Sequence, residues 1–471
     1  MSILVLANAA MMLLFAMFMG LDALLFPATR KEFFEAFLML GALGGALVLL
    51  SWRSVPALSR NQAFLITSTI WLGAGVYGAL PLFLWQISPV DAVFESFSGL
   101  TTTGATVLSG LEDTPKGILM WRALLQALGG VGFIVTGMAL LPFLRTGGMQ
   151  LFRTESSDTE DKMLTSVPRF AGATLLVYLG LILLCGLVYH LGGMGGFDAV
   201  THALTTLSTG GFSNYDASFG HFESRFLQWA CVLFMLLGGL PFAWYIKATQ
   251  RGPLRSEQVV FLLKTLALVI GGLAIWLMLS TGRAPEDALR TVAFNVISVV
   301  TTTGYATEDF LQWGPFAAAV FFFLIAIGGC TGSTAGGVKA MRWIILFRAL
   351  SIGIRQIRAP HRVIRLRYEG RVVPDDVQLG VAAFFAFFLL SVGVLAAALA
   401  LCGLDFQTAL SGALTALANV GPGVGDVIGP AGNFAPLDPL SKLLLAFGMY
   451  VGRLEMFTVY VLFSVKFWRA F

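Results

Sequence analysis

The sequence predicts an all-α polytopic membrane protein. Of its 471 residues, 57% are hydrophobic and only 12% are charged, whereas soluble domains carry about 25% charged residues. The mean hydropathy is +0.82. Apolar runs of about 20 residues, the length that a helix needs to cross a bilayer, recur along the whole chain.

Ten apolar stretches are candidate membrane spans. They are residues 3–26, 33–51, 63–86, 117–144, 168–191, 225–247, 258–280, 312–350, 377–402 and 439–466. Four shorter and less apolar segments lie between spans, at 91–103, 197–209, 287–303 and 406–420. Since these segments are too short to cross and too apolar for ordinary loops, we expect them to be re-entrant helices whose ends are buried in protein or line a water-filled path.

An internal repeat organises the chain after the first two spans. The order span, short helix, glycine-centred loop, span occurs four times, at intervals of about a hundred residues. We therefore expect two N-terminal transmembrane helices (1–56), then four pore repeats arranged with pseudo-fourfold symmetry around a central pore. The expected boundaries of the repeats are 57–155, 156–252, 253–360 and 361–471.

The glycine-centred loops are candidate cation sites. Glycine adopts backbone conformations closed to other residues, so successive carbonyl oxygens can point in one direction. Four such loops around one axis would replace the hydration shell of a monovalent cation, as the carbonyl rings of potassium channels do. The alternative is that the glycines only pack helices closely. The candidate residues are Thr102, Thr103, Gly104, Ser208, Thr209, Gly210, Thr302, Thr303, Gly304, Asn419, Val420 and Gly421.

A second glycine-rich segment interrupts the predicted span 312–350. Five glycines in ten positions are too many for a stable helix interior, so the helix should break directly under the loops and provide a gate. The motif of a phosphate-binding loop is absent, since Ala340 follows Lys339. The candidate gate residues in this segment are Gly328, Gly329, Gly332, Ser333, Thr334, Gly336 and Gly337.

One charge, Arg453, lies inside the last predicted span, and an intramembrane charge indicates a functional site by default. Arg453 is therefore a further gate candidate; the alternative is that it binds helix-end carbonyls and only braces the fold. Glu455 lies about 200° round the helix from Arg453 and is a poor partner for it. Arg122 and Lys264 lie near span ends, where we expect them to extend toward the membrane surface.

The cations indicate the orientation. Those between the repeats mark the cytoplasmic side, with the N-terminus also in the cytoplasm. The carboxylates, Glu95 and Asp216 among them, gather at the opposite mouth as an acidic vestibule. The net charge of +4 is small and no basic groove is evident, so nucleic acid is not an expected partner. The inter-repeat cations are Arg53, Arg60, Arg145, Arg153, Lys162, Arg169, Lys247, Arg251, Arg255 and the nine between Lys339 and Arg371.

The strings TTTGAT, STGGF, TTTGYAT and NVGPG, together with GGCTGSTAGGVKAMR at 328–342, resemble the Trk/Ktr/HKT cation transporters, and among them the TrkH-type subunits. The resemblance covers essentially the whole chain. It implies uptake of potassium in preference to sodium across a bacterial inner membrane, with potassium at the loop residues and Arg453 pointing into the pore below them.

The same resemblance implies a homodimer surrounded by membrane lipid and regulated by a cytoplasmic TrkA-type nucleotide-binding subunit. It implies neither an organic cofactor nor enzymatic activity in this chain. The alternatives are the potassium-translocating subunit of a Kdp-type pump and a membrane protein in which the glycines only pack helices. The sequence does not decide between channel-like flux and coupling to protons or sodium.

Overall fold

The computed structural model describes residues 2–51, 60–140, 167–249, 254–361 and 363–469. Part of the inter-repeat segments lies outside the described residues, including Arg53, Arg145, Arg153, Lys162 and Arg251, and so does the end of the predicted span 117–144.

The described chain is almost entirely helical. Its first nine helices are α1 (Ser2–Leu25), α2 (Arg30–Ser51), α3 (Arg60–Leu84), α4 (Pro89–Leu100), α5 (Lys116–Leu140), α6 (Val167–Leu191), α7 (Gly196–Leu207), α8 (Arg225–Gly239) and α9 (Phe242–Thr249). The others are α10 (Glu257–Thr281), α11 (Pro285–Val300), α12 (Pro315–Leu324), α13 (Ala340–Arg358), α14 (Asp375–Leu401), α15 (Phe406–Ala418), α16 (Pro439–Arg453), α17 (Phe457–Tyr460) and α18 (Val465–Arg469). Short 3-10 turns occupy Pro27–Thr29, Leu111–Asp113, Ser218–His221, Phe310–Trp313 and Val461–Phe463.

Seven of these helices are long and apolar enough to cross a membrane: α1, α2, α3, α5, α6, α10 and α14. Their outward faces are strongly apolar, with Leu24, Leu49, Leu183 and Leu279 each more than 70% exposed. Exposed leucines at this density are typical of helices that face lipid. The expectation of a polytopic all-α membrane protein is confirmed.

The four short helices α4, α7, α11 and α15 occupy the positions predicted for re-entrant helices. Each packs against the long helix that precedes it, which is α3, α6, α10 or α14 respectively. Two begin with a side-chain cap: Ser88 accepts from the Asp91 amide and Asp405 accepts from the Thr408 amide. The C-terminal halves of all four are almost wholly buried, so their last turns lie in the protein interior.

Three predicted spans are not single helices. Residues 225–247 form α8 and α9 at 94° to each other, and 439–466 bends by 103° after Arg453. The first bend has a local cause, because Pro241 offers no amide proton to continue α8 and disfavours helix in the residue before it. At the second bend Glu455 and Met456 have positive φ angles. The predicted spans 225–247 and 439–466 are thus bent helix pairs, and the predicted break within 312–350 occurs between α12 and α13.

A two-stranded hairpin, which the sequence analysis did not predict, follows α13. Strands β1 (Arg367–Tyr368) and β2 (Arg371–Val372) are antiparallel, with Tyr368 opposite Arg371. The two turn residues, Glu369 and Gly370, both have positive φ angles, as a two-residue type I′ turn requires. The Glu369 carboxylate accepts from the Glu257 amide at 2.5 Å and so ties the hairpin to the start of α10.

Candidate functional site: four glycine loops and the glycine-rich segment

Each short helix ends in a loop of the same backbone shape. We number these loops 1 (102–104), 2 (209–211), 3 (302–304) and 4 (419–421). Their first residues all have left-handed φ angles: Thr102 at 54°, Thr209 at 52°, Thr302 at 59° and Asn419 at 55°. Their third residues, all glycine, are also left-handed: Gly104 at 81°, Gly211 at 76°, Gly304 at 84° and Gly421 at 108°.

Hydrogen bonds confirm that the first, second and third residues of the four loops correspond to one another. The amide of the middle residue donates to a carbonyl five residues earlier, inside the last turns of the short helix. The donor and acceptor pairs are Thr103 with Ser98 at 2.9 Å, Gly210 with Thr205 at 2.9 Å, Thr303 with Ser298 at 2.8 Å and Val420 with Thr415 at 3.1 Å. Identical hydrogen bonds and identical φ signs mean that the four loops are structurally equivalent, residue for residue.

The equivalence corrects the predicted register of loop 2. Gly211, not Gly210, corresponds to Gly104, and Ser208 lies before the loop at the position of Thr101. The string STGGF contains two adjacent glycines, and we expected the first of them, Gly210, to correspond to Gly104. Counting forward from the end of the preceding helix, rather than to the nearest glycine, would have found Gly211.

The third-position glycines make close backbone contacts between neighbouring loops. A Cβ placed on any of them would lie within 3.0 Å of the carbonyl oxygen of the middle residue of the next loop. The contacts run from Gly104 to Gly210, from Gly211 to Thr303, from Gly304 to Val420 and from Gly421 back to Thr103. Glycines and carbonyl oxygens thus alternate in a closed cycle of four loops, and any side chain at these positions would break it.

A cavity of about 220 Å³ lies on one side of this cycle. All four third-position glycines line it, together with residues that follow each loop. Asp216 also lines the cavity and accepts from the Gly110 amide at 2.7 Å, so one carboxylate of the expected acidic vestibule is present there. The cavity is large enough for several water molecules, and the four third-position glycines form part of its wall.

Several residues of the expected surface charge pattern are instead buried, among them Lys339 and Arg342 of the expected cytoplasmic cations, and Arg122 and Glu95 near loops 1 and 2. Arg122 is 1% exposed and its Nε donates to Glu95, itself fully buried, at 2.8 Å. Arg122 also donates to the Ser213 carbonyl at 2.9 Å, and Glu95 accepts from the Val107 amide at 2.9 Å. The expectations that Arg122 extends to the membrane surface and that Glu95 belongs to the vestibule were wrong. This pair braces the chain just after loops 1 and 2, and the sequence gives no signal of it because the partners are 27 residues apart.

The glycine-rich segment (328–337) lies against the ends of the short helices. Thr334 Oγ1 donates to the carbonyl of Leu207, the last residue of α7, at 3.0 Å. The Gly337 amide donates to the carbonyl of Ala418, the last residue of α15, at 2.9 Å, and the Gly336 amide donates to Thr302 Oγ1 in loop 3 at 2.7 Å. The segment therefore occupies the space at the C-terminal ends of the short helices, directly behind the loops.

The segment is folded back on itself. The Val338 and Lys339 amides donate to the Ala326 and Ile327 carbonyls at 3.2 and 3.1 Å. A Cβ on Gly337, whose φ is 73°, would lie 2.5 Å from the Cα of Gly328. Ser333 Oγ donates to the Cys330 carbonyl at 2.7 Å, so this predicted gate residue closes the turn at the tip.

Buried charges surround the segment on the side away from the loops. Arg453 is 1% exposed and donates to the carbonyls of Thr334 at 2.8 Å and Gly129 at 3.2 Å. The Lys339 ammonium donates to the Ala335 carbonyl at 2.6 Å. Arg342 forms an ion pair with Glu455. As expected, Glu455 pairs with a residue other than Arg453.

Other glycines do serve close helix packing. Gly129, in α5, lies against the Leu100 carbonyl at the end of α4, and Gly452, in α16, lies in the same way against the Leu417 carbonyl near the end of α15. These helix glycines have no left-handed φ angle, whereas each of the four loop glycines has one and lies against a carbonyl oxygen of another loop. The helix-packing alternative therefore accounts for the former set and not for the latter.

Comparisons with known proteins agree with this architecture. The family model TrkH, described as a cation transport protein, matches residues 29–470. The chain is 49% identical to the Trk system potassium uptake protein TrkI of Halomonas elongata over 427 residues, covering 89% of this chain and 87% of that protein. It is 34% identical to the Trk system potassium uptake protein TrkH of Escherichia coli over 466 residues, covering 96% and 95% of the two chains. The crystal structure of the potassium transporter TrkH from Vibrio parahaemolyticus superposes with a TM-score of 0.91 at 31% identity, covering 99% of this chain and 100% of that one. The chain therefore belongs to the TrkH family of cation transport proteins.

Proposed function

We propose that the chain takes up potassium across the bacterial inner membrane through one central pore per subunit, with loops 1 to 4 as its selectivity filter. The observation that carries this proposal is the closed cycle in which each loop glycine meets the middle carbonyl oxygen of the next loop. Carbonyl oxygens arranged in a ring can replace the hydration shell of potassium. The named relatives, which are potassium uptake proteins, support the same cargo.

The proposed filter residues are those predicted from the sequence, except that the third position of loop 2 is Gly211 in place of Gly210. The coordinating carbonyls of the filter belong to the middle residues Thr103, Gly210, Thr303 and Val420, and its third-position glycines include Gly211. The C-terminal ends of the four short helices carry partial negative charge, which favours a cation near the loops. The proposed structural units are the two N-terminal helices (1–56) and the four pore repeats 57–155, 156–252, 253–360 and 361–471.

The glycine-rich segment and Arg453 form the proposed gate. Three hydrogen bonds from the segment reach the ends of α7 and α15 and loop 3, so the segment lies where an ion leaving the filter must pass. Arg453 places a positive charge at the same depth and is held to the segment through Thr334. Displacing the segment would break its hydrogen bonds to the surrounding helices and loops but none within a long helix, which is what a gate requires.

The proposed assembly is a homodimer in the inner membrane, with the N-terminus in the cytoplasm and a TrkA-type subunit bound on the cytoplasmic side. The names of the relatives place them in Trk systems, which supports a regulatory partner. The end of α13 offers a surface for a regulatory partner, because Arg355 and Arg358 are exposed there beside Ile357, which is 81% exposed.

Cation flux into proteoliposomes tests the filter. Potassium, rubidium and sodium uptake would be compared for the native chain, for Gly104→Ser and for the control Gly193→Ser. Gly193 has a φ of 103° but no atom near a built Cβ, so its replacement adds backbone strain without a clash. We expect Gly104→Ser to lose the preference for potassium and Gly193→Ser to retain it. Absence of flux even after the segment 328–337 is shortened would refute the transport function.

A further inference from the structure

The side chain of Gln126 reaches from α5 into loop 2. It is fully buried, and its amide makes two hydrogen bonds to the loop backbone. The Phe212 amide donates to Oε1 at 3.1 Å, and Nε2 donates to the Gly210 carbonyl at 2.7 Å. The orientation of the amide follows from chemistry, because the Phe212 N–H can only donate and must therefore face the oxygen.

Gly210 lacks the side chain that its equivalents carry. The middle residues of loops 1, 3 and 4 are Thr103, Thr303 and Val420. A Cβ on Gly210 would lie within 3.0 Å of Cδ and Oε1 of Gln126. Gly210 has no left-handed φ angle, so its backbone conformation is open to other residues. Glycine is required at this position because Gln126 occupies the space of the missing side chain.

Loops 1 and 3 have a different support. Thr103 Oγ1 lies 2.8 Å from Thr101 Oγ1, and Thr303 Oγ1 lies 2.9 Å from Thr301 Oγ1, so each loop is braced by a hydroxyl pair from its own repeat. Loop 2 has no middle hydroxyl, and its brace comes from the helix that belongs to the preceding repeat. Gln126 thus replaces, from another repeat, a contact that loops 1 and 3 make internally.

We propose that Gln126 is a positioning residue of the selectivity filter, which holds the Gly210 carbonyl at its place in the ring and thereby sets the preference for potassium over sodium. This inference rests on the proposed function of the loops. A smaller ion is bound well only if the ring oxygens move inward, and the hydrogen bond from Nε2 resists that movement of the Gly210 oxygen. The bond from the Phe212 amide fixes the next peptide group, so Gly211 is held on both sides and the loop cannot rotate to release the oxygen.

The test measures the ratio of potassium to sodium flux in proteoliposomes for the native chain, Gln126→Leu and Gln258→Leu. Gln258 is the matched control because it is equally buried and also clamps a backbone from a long helix, but at Thr331 of the glycine-rich segment. We expect the flux ratio to fall about fivefold in Gln126→Leu, the effect of losing the one hydrogen bond that holds the Gly210 carbonyl oxygen. Gln258→Leu should alter total flux and keep the ratio.

A swap of side-chain volume tests the same idea independently of folding defects. Gly210→Thr alone should abolish flux, because the new side chain overlaps Gln126. The double variant Gln126→Ala with Gly210→Thr places a threonine in loop 2, as in loops 1 and 3, and should recover selective flux. The inference would be overturned by a folded Gln126→Leu protein with an unchanged flux ratio, or by a double variant with no more flux than Gly210→Thr. In either case potassium selectivity of the native chain would still support the proposed function. A native chain without potassium selectivity would overturn both.

Discussion

The guanidinium of Arg453 donates a hydrogen bond of 2.8 Å to the carbonyl oxygen of Thr334, and joins the bend after α16 to the centre of the glycine-rich segment. The two residues are 119 positions apart and both are buried. The same guanidinium lies 4.4 Å from the centroid of the Phe133 ring, which restricts its direction. Arg453 therefore both stabilises the folded-back segment and places its charge next to it.

Removing this contact should open the proposed gate. A hydrogen bond from a charged group contributes about 1.5–3 kcal/mol, so Arg453→Gln should shift the segment toward displaced states by about tenfold or more. We expect a corresponding rise in rubidium uptake into proteoliposomes in the absence of any regulatory subunit. The control is Arg225→Gln, since Arg225 forms an exposed ion pair with Glu286, and such pairs contribute little. Equal uptake by the two variants would exclude Arg453 from gating.

The sequence predicted most of the backbone plan. Apolar length identified the long helices, and the recurrence of a short helix before a glycine loop identified α4, α7, α11 and α15. The break before α13 followed from glycine density. These features are local, since each depends on residues within one helix or loop.

Features that depend on contacts between separate helices were not predicted. The burial of Arg122 in α5 requires Glu95 in α4, and the absence of a side chain at Gly210 is explained only by Gln126, which lies in α5. The bend after Arg453 has no proline or glycine at its positive φ residues, Glu455 and Met456, so composition gives no warning of it. A single sequence does not show which distant residues contact each other.

The corrected register of loop 2 gives a direct test. Gly211→Ala puts a Cβ against the Thr303 carbonyl and forces a residue with a side chain to adopt a left-handed φ angle. A Cβ on Gly210 first meets the Gln126 side chain, so Gly210→Ala costs the hydrogen bonds of that side chain but requires no left-handed φ angle. We expect Gly211→Ala to abolish potassium-selective flux and Gly210→Ala to reduce it less. If Gly210→Ala proved the more harmful of the two, the alignment that pairs Gly210 with Gly104 would be correct.

The buried ion pair between Arg122 and Glu95 should dominate the stability of the region around the cavity. Removing one member leaves the other charge buried without its partner, which costs about 3–5 kcal/mol. We expect Arg122→Leu to lower the thermal unfolding temperature in detergent strongly, and the double variant with Glu95→Gln to be less destabilised than that single variant. The exposed pair Arg225 and Glu286 provides the comparison, with single replacements expected to cost less than about 1 kcal/mol. Strictly additive effects at Arg122 and Glu95 would show that the pair is not coupled.

Acidification should weaken the start of α15. Asp405 caps this helix, and hydrogen bonds from the Thr408 side chain and amide hold the pKa of the Asp405 carboxyl below its usual value of 3.8. A group with a lowered pKa in the folded protein contributes stability that is fully present above its unfolded pKa and is lost as pH falls through the folded pKa. Asp405→Asn keeps a capping oxygen without titrating, so its loss of stability between about pH 6 and pH 3 should be smaller than that of the native chain.

Asp405→Ala removes the cap and should cost about 0.5 kcal/mol at neutral pH, the lower end for a cap because Asp405 is exposed. Thermal unfolding of the three proteins across this pH range measures both effects, and parallel pH profiles for the native chain and Asp405→Asn would show that the carboxylate charge does not contribute.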